Sequence, residues 1–166
     1  MSETEKQPGQ PLRVLFLCTH NSSRSQMAEG LLRARARSTF AVFSAGTQPR
    51  TVHPLAVKVM QEIGIDISDQ TAKGIEVFVT EPPMDLVVTV CSEAQEACPI
   101  FPNAKRQVHW GFPDPSRVIG TEEERLAAFL HIRDLIAAKI DQFLDRKPSF
   151  SFEQLYAAAK AEEQQA

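Results

Sequence analysis

Cys18 and Arg24 are separated by Thr19, His20, Asn21, Ser22 and Ser23, and Ser25 follows directly. A thiol, a guanidinium and small polar residues at this spacing are the parts of a device that attacks a tetrahedral oxyanion. A loop of this length can curl so that successive backbone N–H groups point inward, and a helix starting at its end adds a dipole that favours negative charge. Arg24 can then grip two oxygens side by side. The same positive surroundings favour the thiolate of Cys18, which is the nucleophilic form. Ser25 can donate a further hydrogen bond to that sulfur, and Asn21 can hold the loop by bonding backbone groups. Taken singly, Cys18 reads as a small apolar residue at a strand end and Arg24 as a helix-surface charge. Their spacing is what joins them.

Such a loop needs a strand before it and a helix after it. Leu12 to Leu17 is a nearly continuous apolar run, as expected of a strand buried on both faces. From Ser25 the pattern turns helical, with Met27, Ala28, Leu31 and Leu32 on one side. A second strand is expected at Ala41 to Ser44, ending at Gly46. Pro54 then suits the first turn of a helix that Gly64 stops. Thr71 to Val79 reads as a short helix. Asp85 to Val90 is another buried strand, ending at Cys91, and Gln107 to Trp110 a fourth. Thr121 and Glu124 form a capping-box pair opening a long helix that must end before Pro148. Met27 and Met60 read as core, and Trp110 as packing beneath the loop that follows it.

Strands alternating with helices predict an α/β domain, an open parallel four-stranded sheet with helices on both faces. Ligands in such sheets bind beyond the carboxyl ends of the strands, the edge that receives Cys18, Cys91 and Asp114. Residues 1–11 read as a flexible leader, 12–147 as the catalytic domain, and 148–166 as a tail with room for a short helix through Phe152, Leu155 and Tyr156.

The 166 residues carry a formal net charge of -3, so there is no overall basic field and nucleic acid is not expected as a partner. No apolar run reaches the roughly 20 residues of a membrane span, and no secretory signal is evident, which points to the cytoplasm. Three cysteines, Cys18, Cys91 and Cys98, cannot all pair within one chain. A zinc site made from them and His109 lacks the usual ligand spacing, and no metal is expected. Asp114, between two prolines, reads either as a turn or cap residue or as an acid beside the anion.

The segments VLFLCTHNSSRSQMAEGLL, DLVVTVC, CSEAQEACP and HWGFPDP together resemble the thioredoxin-coupled arsenate reductases, which share the low-molecular-weight tyrosine phosphatase fold. The resemblance covers residues 12 to 146 and implies a course for the three thiols. Cys18 attacks arsenate while Asp114 protonates the departing oxygen. Cys91 then attacks Cys18, releasing arsenite. Cys98 attacks Cys91, and thioredoxin reopens the resulting Cys91–Cys98 disulfide. No cofactor is implied. If Ser92 to Ala97 are helical in the reduced protein, Cys91 and Cys98 stand roughly 10 Å apart along the axis. A disulfide needs Cα atoms within about 7 Å, so this segment is expected to be mobile.

Three departures from the similar enzymes stand out. His20 replaces a common glycine, and either faces outward or stands near the anion. Ser23 replaces a common loop cysteine, which excludes a disulfide inside the loop. Some similar reductases bind potassium through residues matching Asn21, Glu29, Ser44 and Thr71, but Lys73 falls where they have an aspartate. Its ammonium either substitutes for the ion and pairs with Glu29 or faces solvent. Two rival functions remain at this level: a low-molecular-weight tyrosine phosphatase, which leaves Cys91 and Cys98 without a role, and a noncatalytic oxyanion or redox sensor.

Overall fold

The computed structural model of the protein describes residues 9–92, 98–147 and 152–163. Most of the expected leader, the segment 93–97 predicted to be mobile, and residues 148–151 and 164–166 lie outside them. Four strands, β1 (Leu12–Cys18), β2 (Phe40–Gly46), β3 (Leu86–Thr89) and β4 (Gln107–His109), form one sheet in the order β2-β1-β3-β4. Every pairing is parallel. The helices are α1 (Arg24–Arg35), α2 (Pro54–Gln61), α3 (Glu76–Val79), α4 (Glu122–Asp145) and α5 (Phe152–Glu163).

β1 is central, so its two faces feed two cores, which is why its sequence is apolar without alternation. Leu12, Val14 and Phe16 pack with Met27, Leu31, Met60, Phe129 and Phe143 in the larger core, under α1, α2, α4 and α5. Leu15 and Leu17 face a smaller cluster with Ala45, Phe78 and Val87, covered by α3. Met27 and Met60 are wholly buried, as expected.

The caps follow local chemistry. His53 caps α2, its Nδ1 accepting the Leu55 N–H at 3.0 Å, with Pro54 in the first turn. Gly64 ends that segment at φ +78, a conformation glycine adopts without a Cβ penalty. The Thr121/Glu124 capping box opens α4 as expected.

One expectation is corrected. The helix read over Thr71 to Val79 is only Glu76–Val79. The preceding backbone is engaged by other partners: Gln26 donates to the Thr71 carbonyl, Gly46 N–H to the Lys73 carbonyl, and Lys73 N–H to Asn21 Oδ1. Trp110 packs in the same core as Phe112 of the following loop. Its indole N–H donates to the Ala159 carbonyl at 3.0 Å, and its ring meets Phe16 and Phe143, so it ties α5 to the sheet and α4. Glu162, which reads from sequence as part of a polar end, is buried because Arg146 Nε donates to its carboxylate and Lys139 Nζ to its carbonyl.

Candidate functional site

Parallel strands bring the ends of β1, β2, β3 and β4 to one edge, and the loop 19–23 crosses it. That loop is held open from outside. Gln48 N–H donates to the Thr19 carbonyl, Arg50 N–H to His20 and His53 N–H to Ser22, at 2.8, 2.9 and 2.9 Å. In a planar trans peptide the next N–H points opposite the carbonyl. Tying these three carbonyls to the strap 48–53 therefore turns the amides of His20, Asn21 and Ser23 the other way. The Asn21 amide reaches Cys18 Sγ at 3.2 Å.

Gly46 makes this crossing possible. It pairs with Cys18 in the sheet, and a Cβ added there would lie 2.6 Å from the Thr19 carbonyl oxygen and 2.8 Å from the Asn21 nitrogen. Backbone cannot yield as a flexible side chain can. From sequence Gly46 is only the end of a strand, and nothing local reveals the close approach.

Asn21 takes a positive φ of 48, which asparagine tolerates better than most residues, and its amide organises the floor of the site. Oδ1 accepts from Lys73 N–H and from Gln26 Nε2, both at 2.9 Å. Nδ2 donates to Ser25 Oγ at 2.8 Å and to Ser44 Oγ at 2.9 Å. Because Ser25 Oγ accepts that bond, its own proton is available to Cys18 Sγ, 2.9 Å away. Ser44 likewise donates onward to Glu29 Oε1 at 3.0 Å. The result is a buried chain of donors leading from a carboxylate to the sulfur.

Glu29 is buried, and its charge is met by Arg33 at 3.1 Å and by Lys73 Nζ at 3.8 Å. Lys73 Nζ also donates to the Thr71 carbonyl at 2.6 Å. Burial pushes the Lys73 ammonium below the ordinary lysine range, Glu29 opposes that, and Arg33 reinforces it. Of the two readings for Lys73, the partly buried partner of Glu29 is the one adopted. A potassium ion does not fit beside it, since the ammonium already takes the Thr71 carbonyl and faces the carboxylate.

Above the loop lies a cavity of about 320 Å³ lined by Cys18, His20, Ser23, Arg24, His53 and Asp114, with Arg50 and Ser116 at its walls. His20 is among the residues that border this cavity. Ser23 Oγ is buried with no hydrogen-bond partner, and Ser23 caps α1 without a side-chain bond. Native proteins seldom leave such groups unpaired. Arg24 donates from NH1 to the Phe112 carbonyl at 3.1 Å, and its NH2 lies 3.5 Å from Asp114 Oδ2. Asp114 also caps a short 3-10 turn, Pro115–Arg117, through Ser116 N–H at 2.9 Å. Its cap uses Oδ1, as the turn reading expects, and Oδ2 is the oxygen nearest Arg24.

Cys91 and Cys98 form a disulfide with Cα atoms 6.0 Å apart, while Cys18 is a free, buried thiol. A ring nitrogen of His109 and the two sulfurs all lie within 4.8 Å of one another. Sequence spacing gave no reason to join His109 to the pair. The register of β3 and β4, which sets Thr89 opposite His109, does so.

The model of the low molecular weight phosphotyrosine protein phosphatases matches residues 13–158. The chain belongs to that family. Within the low-molecular-weight phosphatase family it is 47% identical over 132 residues to the arsenate reductase of Halalkalibacterium halodurans, covering 80% of this chain and 94% of that protein. A solved arsenate reductase in the phosphate-binding state superposes with a TM-score of 0.67 at 31% identity, covering 81% and 98% of the two chains. The thioredoxin-dependent arsenate reductase of Corynebacterium glutamicum gives a TM-score of 0.52 at 30% identity, covering 81% of this chain and 64% of that one. In this member of the low-molecular-weight phosphatase family, Cys18, the loop through Ser25 and Asp114 share one pocket or its floor. Arg50, Thr51, His53 and Ser116 also reach that pocket, unforeseen from sequence. Arg50, Thr51 and His53 lie on a strand-to-helix connection at the binding edge, which was the available signal.

Proposed function

We propose that the protein reduces arsenate to arsenite through Cys18, Cys91 and Cys98, with thioredoxin as the reductant. The observation that carries this reading is the disulfide between Cys91 and Cys98 in a chain whose third thiol, Cys18, stands free in an oxyanion loop. A phosphatase needs one cysteine and water. A reductase must supply two electrons, and a dithiol is the protein's means of doing so.

The Cys18 thiolate attacks arsenic, and one oxygen leaves as water with a proton from Asp114, while Arg24 and the loop amides hold the remaining oxygens. The Cys91 thiolate then attacks Cys18 Sγ. The sulfur–arsenic bond breaks toward arsenic, which departs as arsenite, two electrons richer, and a Cys18–Cys91 bond remains. Cys98 attacks Cys91 Sγ, Cys18 leaves as thiolate, and the oxidation now rests on Cys91–Cys98. A dithiol of the thioredoxin type reduces that bond and closes the cycle.

Arsenate-dependent consumption of NADPH in the presence of thioredoxin and its reductase tests this directly. Wild type is expected to turn over, and Cys91→Ser to lose coupled turnover while Cys18 still reacts with an alkylating agent. Aryl phosphate hydrolysis that persists in Cys91→Ser, with no arsenate turnover in wild type, would establish the phosphatase instead.

A further inference from the structure

We propose that His109 is the proton acceptor for the second thiol exchange, taking the Cys98 proton as that sulfur attacks Cys91; this rests on the three-thiol reading above. A ring nitrogen of His109 lies within 4.8 Å of both sulfurs in the oxidised state, which is the geometry the attack must reach as its new bond forms. Cys91 is fully buried and Cys98 half-buried, so bulk water is poorly placed to take the proton.

The ring is aimed as well as near. Thr89 Oγ1 lies 2.7 Å from His109 Nδ1 and 3.4 Å from the Val108 carbonyl oxygen, to which its hydroxyl donates. In the tautomer this role requires, Thr89 accepts from Nδ1–H and Nε2 carries the lone pair. Gly111 leaves space on that side: a Cβ there would lie 2.8 Å from Nε2 and 3.4 Å from the Cys91 carbonyl oxygen. Nε2 therefore borders the chain that carries Cys91.

Other charged groups around His109 are already committed. Glu163 of α5 accepts the His109 backbone N–H at 2.7 Å and pairs with Lys160. Glu162 of α5 is held by Arg146 and Lys139 of the neighbouring α4 region. Among the described residues, no other histidine, aspartate or glutamate groups with both sulfurs.

The balance is simple. Cys98–SH gives its proton to Nε2, the thiolate bonds to Cys91 Sγ, and the Cys91–Cys18 bond breaks to release the Cys18 thiolate. Cys98 is oxidised and Cys18 reduced. The proton returns from His109 to the thiolate expelled when thioredoxin opens the Cys91–Cys98 bond. A free thiol near pKa 8.5 is only about 3% ionised at pH 7, so full ionisation is worth at most roughly 30-fold. Because a thiolate of lower pKa is also a weaker nucleophile, the gain falls toward roughly 3-fold if the proton is lost before attack.

The test is a single arsenate turnover of the full chain without external reductant, in a chelating buffer, quenched by alkylation between pH 5.5 and 9. The rate of Cys91–Cys98 bond formation is read by mass spectrometry. In wild type it should rise through the range where imidazoles titrate and then level. His109→Gln should slow it between roughly 3-fold and 30-fold at pH 7 and converge on wild type as the pH nears 9, where the thiol ionises unaided. Thr89→Val, which removes the Nδ1 partner with little change of shape, should show the same pH signature more weakly and serves if His109→Gln does not fold. A pH curve unchanged in the variants, or one lowered equally at every pH, overturns the role of His109 and leaves the function standing. A wild type that forms no Cys91–Cys98 bond overturns the function itself.

Discussion

The Arg24 guanidinium lies 3.5 Å from the Asp114 carboxylate, and both side chains are almost fully buried. Without substrate this pair balances its own charges. An arriving oxyanion competes for Arg24 and places a second negative charge against Asp114. Asp114→Asn removes that repulsion. Phosphate affinity, measured by titration calorimetry, should tighten several-fold, while arsenate turnover falls by about 100-fold. Weaker phosphate binding in the variant would contradict the arrangement.

Gly46→Ala tests the crossing of the loop over β2. Its Cβ would meet the Thr19 carbonyl oxygen at 2.6 Å, and the carbonyl is tied to Gln48. Overpacking of this kind costs about 1–3 kcal/mol, and here it acts on the geometry of the loop amides. Phosphate-induced thermal stabilisation should be largely lost while the far-ultraviolet circular dichroism stays that of wild type. Full retention of the shift would mean that the loop tolerates the methyl.

Lys73 and Glu29 set the charge beneath the loop, 3.8 Å apart. Wild-type turnover should be the same in potassium and sodium chloride. Lys73→Ala should lower turnover, and potassium should restore part of it, because Glu29 then keeps only Arg33 and the Thr71 carbonyl loses its ammonium. Strong potassium stimulation of the wild type would show that the ammonium does not fill that role.

His53 links stability to pH. Burial lowers its pKa from the ordinary 6.5, Arg125 lowers it further, and Asp114 partly opposes them. The folded state therefore favours neutral imidazole, whose Nδ1 accepts the Leu55 N–H. Between the lowered folded value and 6.5 the unfolded chain binds more protons, so stability rises with pH across that window. It is fully present above 6.5 and lost as pH falls through the folded value. Urea midpoints between pH 5 and 7.5 should show this slope, and His53→Asn, which keeps a cap without titrating, should flatten it.

Much of the site was readable because it is local. Cys18 to Ser25 is one stretch, preceded by an apolar strand and followed by helical spacing, so the loop and its flanking elements came from pattern alone. The Thr121/Glu124 box was legible for the same reason. What stayed hidden depends on distant chain segments meeting. The need for glycine at 46 arises only when the loop folds over it. The extended backbone at Thr71 to Lys73 is fixed by partners on Asn21, Gln26 and Gly46, which outweigh its local helical pattern. His109 joins the cysteines through strand register, and Glu162 is buried because cations from elsewhere reach it.

The most direct measurement is disulfide mapping of reduced wild-type protein after one equivalent of arsenate, with no external reductant and rapid alkylation. A bond joining Cys91 and Cys98, with Cys18 recovered as a free alkylated thiol and one arsenite released per chain, is the predicted result. Arsenite release with Cys91 and Cys98 both alkylated, or no arsenite at all, would contradict the relay.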